Sequence, residues 1–157
     1  MSVPAQLRNE LEDLYADYAD AIDSGALERW PMFFCDPCLY RVVSKENYDQ
    51  GLPMSLMRCE SIGMLTDRAF AAQKLNVYGP RVWRHTISHL RAKDEASRIV
   101  VQANFALFET LHDQHTRVLV TGRYLDKLVR TGNGLKFHEK LCVYDSALIP
   151  GSIVAPI

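Results

Sequence analysis

The chain has 157 residues and carries 18 Lys and Arg against 19 Asp and Glu, a formal charge of −1. Hydrophobic residues make up 48% and charged residues 24%, a balance that excludes disordered, collagen-like and membrane-spanning chains. The even charge offers nothing to nucleic acid, whose binders show a basic excess, and the length predicts one domain over residues 1–157.

Residues 1–15 lack the basic start and apolar core of a signal peptide, so a cytoplasmic location without membrane contact is expected. Four cysteines in such a chain read as reduced thiols rather than as a disulfide framework.

The first element reads as a helix. Leu7, Leu11, Leu14, Tyr15, Tyr18 and Ile22 recur at three- and four-residue steps, with Arg8, Glu10, Asp13, Asp17 and Asp20 on the other face. Ser2 is the expected cap, Pro4 is tolerated in a first turn, and Ser24-Gly25 supplies the stop. A short helix from Ala26 to about Phe34 follows, shortened or kinked by Pro31. Leu39–Val43 reads as a strand and Ser44–Pro53 as a polar loop. From Leu56 to Leu75 the pattern is helical again, with Ile62, Leu65, Ala69 and Ala72 on one stripe, until Gly79-Pro80 breaks it. Four strands complete the chain: Arg84–Ala92, Arg98–Leu111, Thr116–Arg130 and Leu135–Tyr144, the last two joined at the hairpin signal Thr131-Gly132-Asn133-Gly134.

Helices first and long strands last predict an α+β fold. The expected form is a cone: a curved mixed or antiparallel sheet wrapped around the N-terminal helices, which are the only material able to cover its concave face.

Catalytic signatures are absent. The chain holds no G-x-S-x-G, no phosphate-binding loop and no dinucleotide fingerprint. Cys35-Asp36-Pro37-Cys38 has the spacing of half a zinc site, but Cys59 and Cys142 stand alone, so half-buried thiols are the expected reading. The five histidines are His85, His89, His112, His115 and His138. His85 and His89, four apart, would share a strand face, yet no nearby carboxylate completes an iron triad. A Tyr and a His across an apolar cavity could work as an acid–base pair, which makes Tyr18 and His85 the candidate catalytic residues, with Asn104 a third polar group.

Several ordered segments carry a resemblance: Tyr18-Ala19-Asp20-Ala21-Ile22-Asp23, Trp30 with Phe33-Phe34, Glu46-Asn47-Tyr48, Met64-Leu65-Thr66-Asp67-Arg68, Arg84-His85 and Gly122-Arg123-Tyr124-Leu125-Asp126. With Val143-Tyr144-Asp145-Ser146 and the Pro156-Ile157 end, they make the chain resemble the small (β) subunits of Rieske non-haem iron aromatic-ring-hydroxylating dioxygenases. Among these it is most similar to subunits of enzymes acting on benzoate-like acids such as terephthalate or salicylate. Gly63 and Cys35 depart from the family's usual residues.

The resemblance implies the cone fold of nuclear transport factor 2. It also implies an assembly role without catalytic residues in this chain. The Rieske [2Fe–2S] cluster and the mononuclear Fe(II) are then expected in a large (α) subunit, the two chains forming an α3β3 hexamer with contacts between β subunits. Exposed aromatics and Arg are the expected interface anchors, here Tyr48, Tyr78, Arg81 and Trp83, and the apolar stretch Ala147–Ile157 is a further contact strip. The alternative is a free-standing dehydratase, an isomerase or a small-ligand binder of the same fold, using Tyr18 and His85.

Overall fold

The computed structural model of the protein describes residues 2–75, 79–149 and 153–157. Helix α1 spans Ala5–Asp23 and buries Leu7, Leu11, Tyr15, Tyr18 and Ile22, the stripe that the periodicity marks. Ser2 does not cap it. Pro4 holds the N-cap position without a side-chain bond, which leaves Ser2 outside reach of the first helical amides. Gly25 follows the C-cap Ser24 at φ 77°, in the left-handed region where a residue without Cβ is favoured.

Pro31 then keeps the next segment, Leu27–Phe33, in tight 3-10 geometry rather than α. Strand β1 is longer than its apolar run suggests, Phe34–Ser44, with a register shift between Phe34 and Leu39. Ser44 starts a one-turn helix α2, Lys45–Asp49, by accepting the amide of Asn47. The helix expected from Leu56 begins later. Met57–Cys59 pairs with β1 as the short strand β2, and Ser61 caps α3, Ile62–Phe70, through the amide of Met64. A single π turn, Ala71–Leu75, continues α3.

The remaining strands are β3 (Arg81–Glu95), β4 (Arg98–Leu111), β5 (Arg117–Thr131) and β6 (Gly134–Tyr144). The six strands form one mixed sheet in the order β2-β1-β6-β5-β4-β3, where β1 runs parallel to β6 and the other neighbours are antiparallel. Ile99, Val101, Ala103, Phe105 and Leu107 alternate inward along β4. The concave face is covered by α1 against β3 and by the 3-10 segment against α3. This is the expected α+β cone, its sheet curved and unclosed.

The described part of the expected contact strip Ala147–Ile157 is mostly taken up by the chain's own core. Ile153, Val154 and Ala155 pack on the core, and Ile157 is fully buried within it. Leu148 stays exposed. An apolar tail beside an unfilled cone buries more surface inside than it could outside.

Candidate functional site

The middle of the cone is filled by its own aromatic side chains. Tyr18, on the inner face of α1, accepts a bond from Trp30 Nε1 at 3.1 Å and donates to the carbonyl of Ile157 at 2.9 Å. Tyr40 donates to the same carbonyl and accepts the amide of Ile157. Burial pushes both phenols well above their ordinary range. Tyr18 therefore has its one proton committed to Ile157 and held there by burial, which suits a core strut better than an acid–base partner.

Beside this strut sits a buried ion pair. Lys140 Nζ lies 2.9 Å from Asp126 Oδ2, and both side chains are shut off from solvent. The ammonium lies 3.5 Å from the Tyr124 ring centroid and about equally close to Tyr18 and Phe137, at 4.5 Å each. Asp126 also accepts from Tyr15 at 2.5 Å and from the amide of Leu141 at 3.2 Å. Burial pushes its carboxyl up, against the lowering by Lys140 and the hydrogen bonds. The charges face one another, with aromatic faces completing the ammonium's shell.

His85 stands elsewhere. It enters from β3 with its side chain buried and meets Asp23 at the end of α1. One carboxylate oxygen takes Nδ1 at 2.5 Å and the other takes the backbone amide of His85 at 2.8 Å. The family-like Ile22-Asp23 pair held this partner in the sequence, but helical counting gave no reason to single it out, because the pairing joins a helix end to an edge strand. The opposite ring nitrogen, Nε2, is buried without a partner. Next to it a pocket of about 440 Å³ opens between α1 and β3, walled by Tyr15, Ala16, Ala19, Ile87 and Leu90 among others.

The sequence-predicted trio is not brought together. Asn104 is exposed on the convex face of β4, because the alternation that turns Ala103 and Phe105 inward turns it out. His89 does not share the face of His85 either. A bulge between Ser88 and Arg91 breaks the two-residue period, leaving His89 exposed at φ 56° with its ring on Ser88 Oγ.

The thiols behave as small core groups. Burial pushes Cys38 up to about 11 and Cys142 up to about 12, and raises Cys35 also, so thiolate chemistry is disfavoured at neutral pH. Among the described residues no three His, Cys, Asp or Glu side chains converge to hold a metal. That donor set does not fit a Rieske cluster or a mononuclear iron. Among the described residues no helix is long and apolar enough to cross a membrane.

Of the expected interface residues, Tyr48 is exposed on α2. Tyr78 lies outside the described residues. Trp83 is not a surface anchor. It is buried on β3 and donates from Nε1 to Glu109 at 2.8 Å, since its position in the strand alternation turns it inward. Arg81 bonds the same carboxylate at 3.0 Å, and Arg117 completes the cluster at 2.7 Å.

Burial alone would raise the Glu109 carboxyl; Trp83, Arg117 and Arg81 outweigh it and hold the group below the usual carboxylate range. A depressed carboxylate stabilises the fold above its unfolded pKa, and that stability is lost as pH falls through the folded value. Urea titrations of wild type and Glu109→Gln should therefore differ by about 2 kcal/mol at neutral pH, and the gap should close on acidification below about pH 4. An unchanged gap at low pH would show that the carboxylate's charge is not what matters.

Comparisons with known proteins define the class and then the family. The cone is of the nuclear transport factor 2 type. The family model described as "Ring hydroxylating beta subunit" matches residues 18–151. The small subunit of anthranilate 1,2-dioxygenase from Burkholderia cepacia is 32% identical over 149 residues, covering 94% of this chain and 92% of that one. A beta subunit of the terminal oxygenase component of terephthalate 1,2-dioxygenase from Comamonas is 32% identical over 90% of this chain and 93% of its own. A crystal structure from Novosphingobium aromaticivorans, assigned as the beta subunit of an aromatic-ring-hydroxylating dioxygenase, superposes with a TM-score of 0.87 at 35% identity, covering 98% and 99% of the two chains. The chain belongs to the ring-hydroxylating beta subunit family.

Proposed function

We propose that this chain, as one domain over residues 1–157, is the non-catalytic assembly subunit of the terminal oxygenase component of an aromatic-ring-hydroxylating dioxygenase. A large subunit supplies the Rieske cluster, the mononuclear iron and the substrate pocket, and the two chains form a cytoplasmic α3β3 hexamer. The single-domain reading is supported by one hydrophobic cluster that runs from Leu7 to Ile157. Family membership supports the partner.

The observation that carries the assembly role is apolar surface without cover in the lone chain. Met54 is 71% exposed and Met32 67%, with Leu52, Leu56, Met64 and Phe70 also open to solvent. Met32 and Phe70 border a trough of about 530 Å³ between the 3-10 segment and α3, floored by Phe34, Ile62 and Ala69. Long apolar side chains around a groove are what an obligate interface seals, and Tyr48 adds an aromatic at the same kind of surface.

Co-expression with a Rieske large subunit, followed by size-exclusion chromatography and iron analysis, tests this. The two chains should co-elute, with iron in the large one. Met32→Asp with Phe70→Asp should weaken co-elution at least about tenfold while leaving the melting temperature of the lone subunit within a few degrees. Full oxygenase activity from the large subunit alone, with no complex formed, would remove the proposal.

A further inference from the structure

The pocket between α1 and β3 has no part in the assembly reading, and one group in it lacks a partner. Asp23 is acceptor-only as a carboxylate, so the proton it binds from His85 sits on Nδ1. In the neutral ring that leaves a lone pair on Nε2, and this atom is buried and unpaired. Buried polar atoms are nearly always satisfied, and an orphan beside a cavity marks a place where something is meant to bind. For that tautomer the missing partner is a hydrogen-bond donor.

The rest of the pocket describes what carries that donor. Its walls near His85 include Ala16, Ala19 and Ile87, with Tyr15 further along α1, which accept an apolar body. Its volume of about 440 Å³ admits one or two rings. Ser88 and His89 also line the pocket, but they bond to each other at 3.0 Å and stand exposed at its rim. The charged lining residues Arg8 and Glu12 are of opposite sign and lie further toward the helix N-terminus. At 1.5 Å per residue they stand roughly 22 and 16 Å along α1 from Asp23, so neither imposes a charge on a ligand at His85.

We infer that this pocket binds a small, neutral, apolar molecule bearing one hydroxyl, a phenol or an enol, whose O–H is donated to Nε2 of His85. The imidazole is fully covered, so entry takes a small outward movement of the wall. The Ser88–Arg91 bulge, where His89 and Leu90 have no partners on β4, is the part of the strand freest to make it. Asp23 is then a positioning residue: it sets which ring nitrogen is the acceptor.

The test uses the full chain labelled with ¹⁵N-histidine and three probes: phenol, anisole, which lacks the donor, and acetophenone, which offers only an acceptor. In the wild type, phenol should bind at least tenfold more tightly than either, and its binding should move the Nε2 resonance of His85. In Asp23→Asn the side-chain amide can donate to Nδ1 and force the ring proton onto Nε2, so the order should invert, with acetophenone ahead of phenol. A merely structural Asp23 would weaken all three alike. Should Asp23→Asn fail to fold, His85→Phe, which keeps the bulk, should bind phenol and anisole equally. Equal binding of phenol and anisole by the wild type would overturn the inference, as would an unmoved His85 resonance at saturating phenol or no phenol binding at millimolar concentration. Because the readout is direct binding to this chain, failure of the large-subunit pairing would leave the result unaffected.

Discussion

Asp126→Leu is expected to destabilise the protein by about 3–5 kcal/mol, the scale seen when one member of a buried pair is removed. The cost has three sources in the same place. Lys140 loses its countercharge, with only aromatic faces around its buried Nζ. The Tyr15 hydroxyl loses its acceptor, and the amide of Leu141 loses one as well. A domain of this size has roughly 5–15 kcal/mol in total, so the variant should sit near the edge of folding. The triple variant Asp126→Leu, Lys140→Met, Tyr15→Phe removes charge, countercharge and orphan hydroxyl together. It should recover most of the loss, because an apolar set of similar volume can replace a buried ion pair at little cost. Urea midpoints compared at constant m-value decide this. A triple variant no better than the single one would mean that the pair is held by shape, not charge.

Gly122→Ala should be about as damaging for a different reason. Gly122 lies on β5 opposite Tyr144, and a Cβ there would stand 2.0 Å from the Val143 carbonyl oxygen and 2.8 Å from the Tyr144 Cα. Both are backbone atoms of β6, so no side-chain rotation relieves the clash. The strands must separate, at a cost of about 3 kcal/mol or more. Gly132, in the hairpin between the same strands, has nothing within 4 Å of its would-be Cβ. Gly132→Ala should therefore leave the melting temperature almost unchanged. Equal behaviour of the two variants would show that β5 and β6 have room to give.

The two glycines also show what a sequence can and cannot display. The Gly132-containing turn is legible because turn chemistry is local, whereas Gly122 looks like any glycine in a strand until β6 is placed behind it. The same division runs through the molecule. The stripe on α1, the stripe on α3 and the four long strands follow from periodicity, and they were enough to give the cone. Met57–Cys59 falls inside the predicted helix because three residues show no period, and their strand character comes from β1. The site residues divide likewise. Tyr18 lies inside, as its place on the α1 stripe implies, but the core fills the space expected to join it to His85, and the partners of both are invisible in the sequence. Ile157, Trp30 and Asp23 are brought to them by tertiary contacts. Asn104 and His89 failed by a strand face, one through alternation and one through a bulge that no residue type announced.

The parallel pairing of β1 with β6 has a consequence for how the protein is made. Tyr18 reaches its acceptor across 139 positions and Tyr40 across 117. The first strand in the chain waits for the last before its second edge is occupied. A ribosome delivers residues in order, so α1, the 3-10 segment and β1 emerge with their apolar faces bare until β6 follows. Such non-local closure is slow and leaves surface open to wrong partners in the interval. In a protein whose finished surface keeps apolar side chains such as Met32, Met54 and Phe70 exposed, the order of synthesis thus decides how long two kinds of sticky surface coexist.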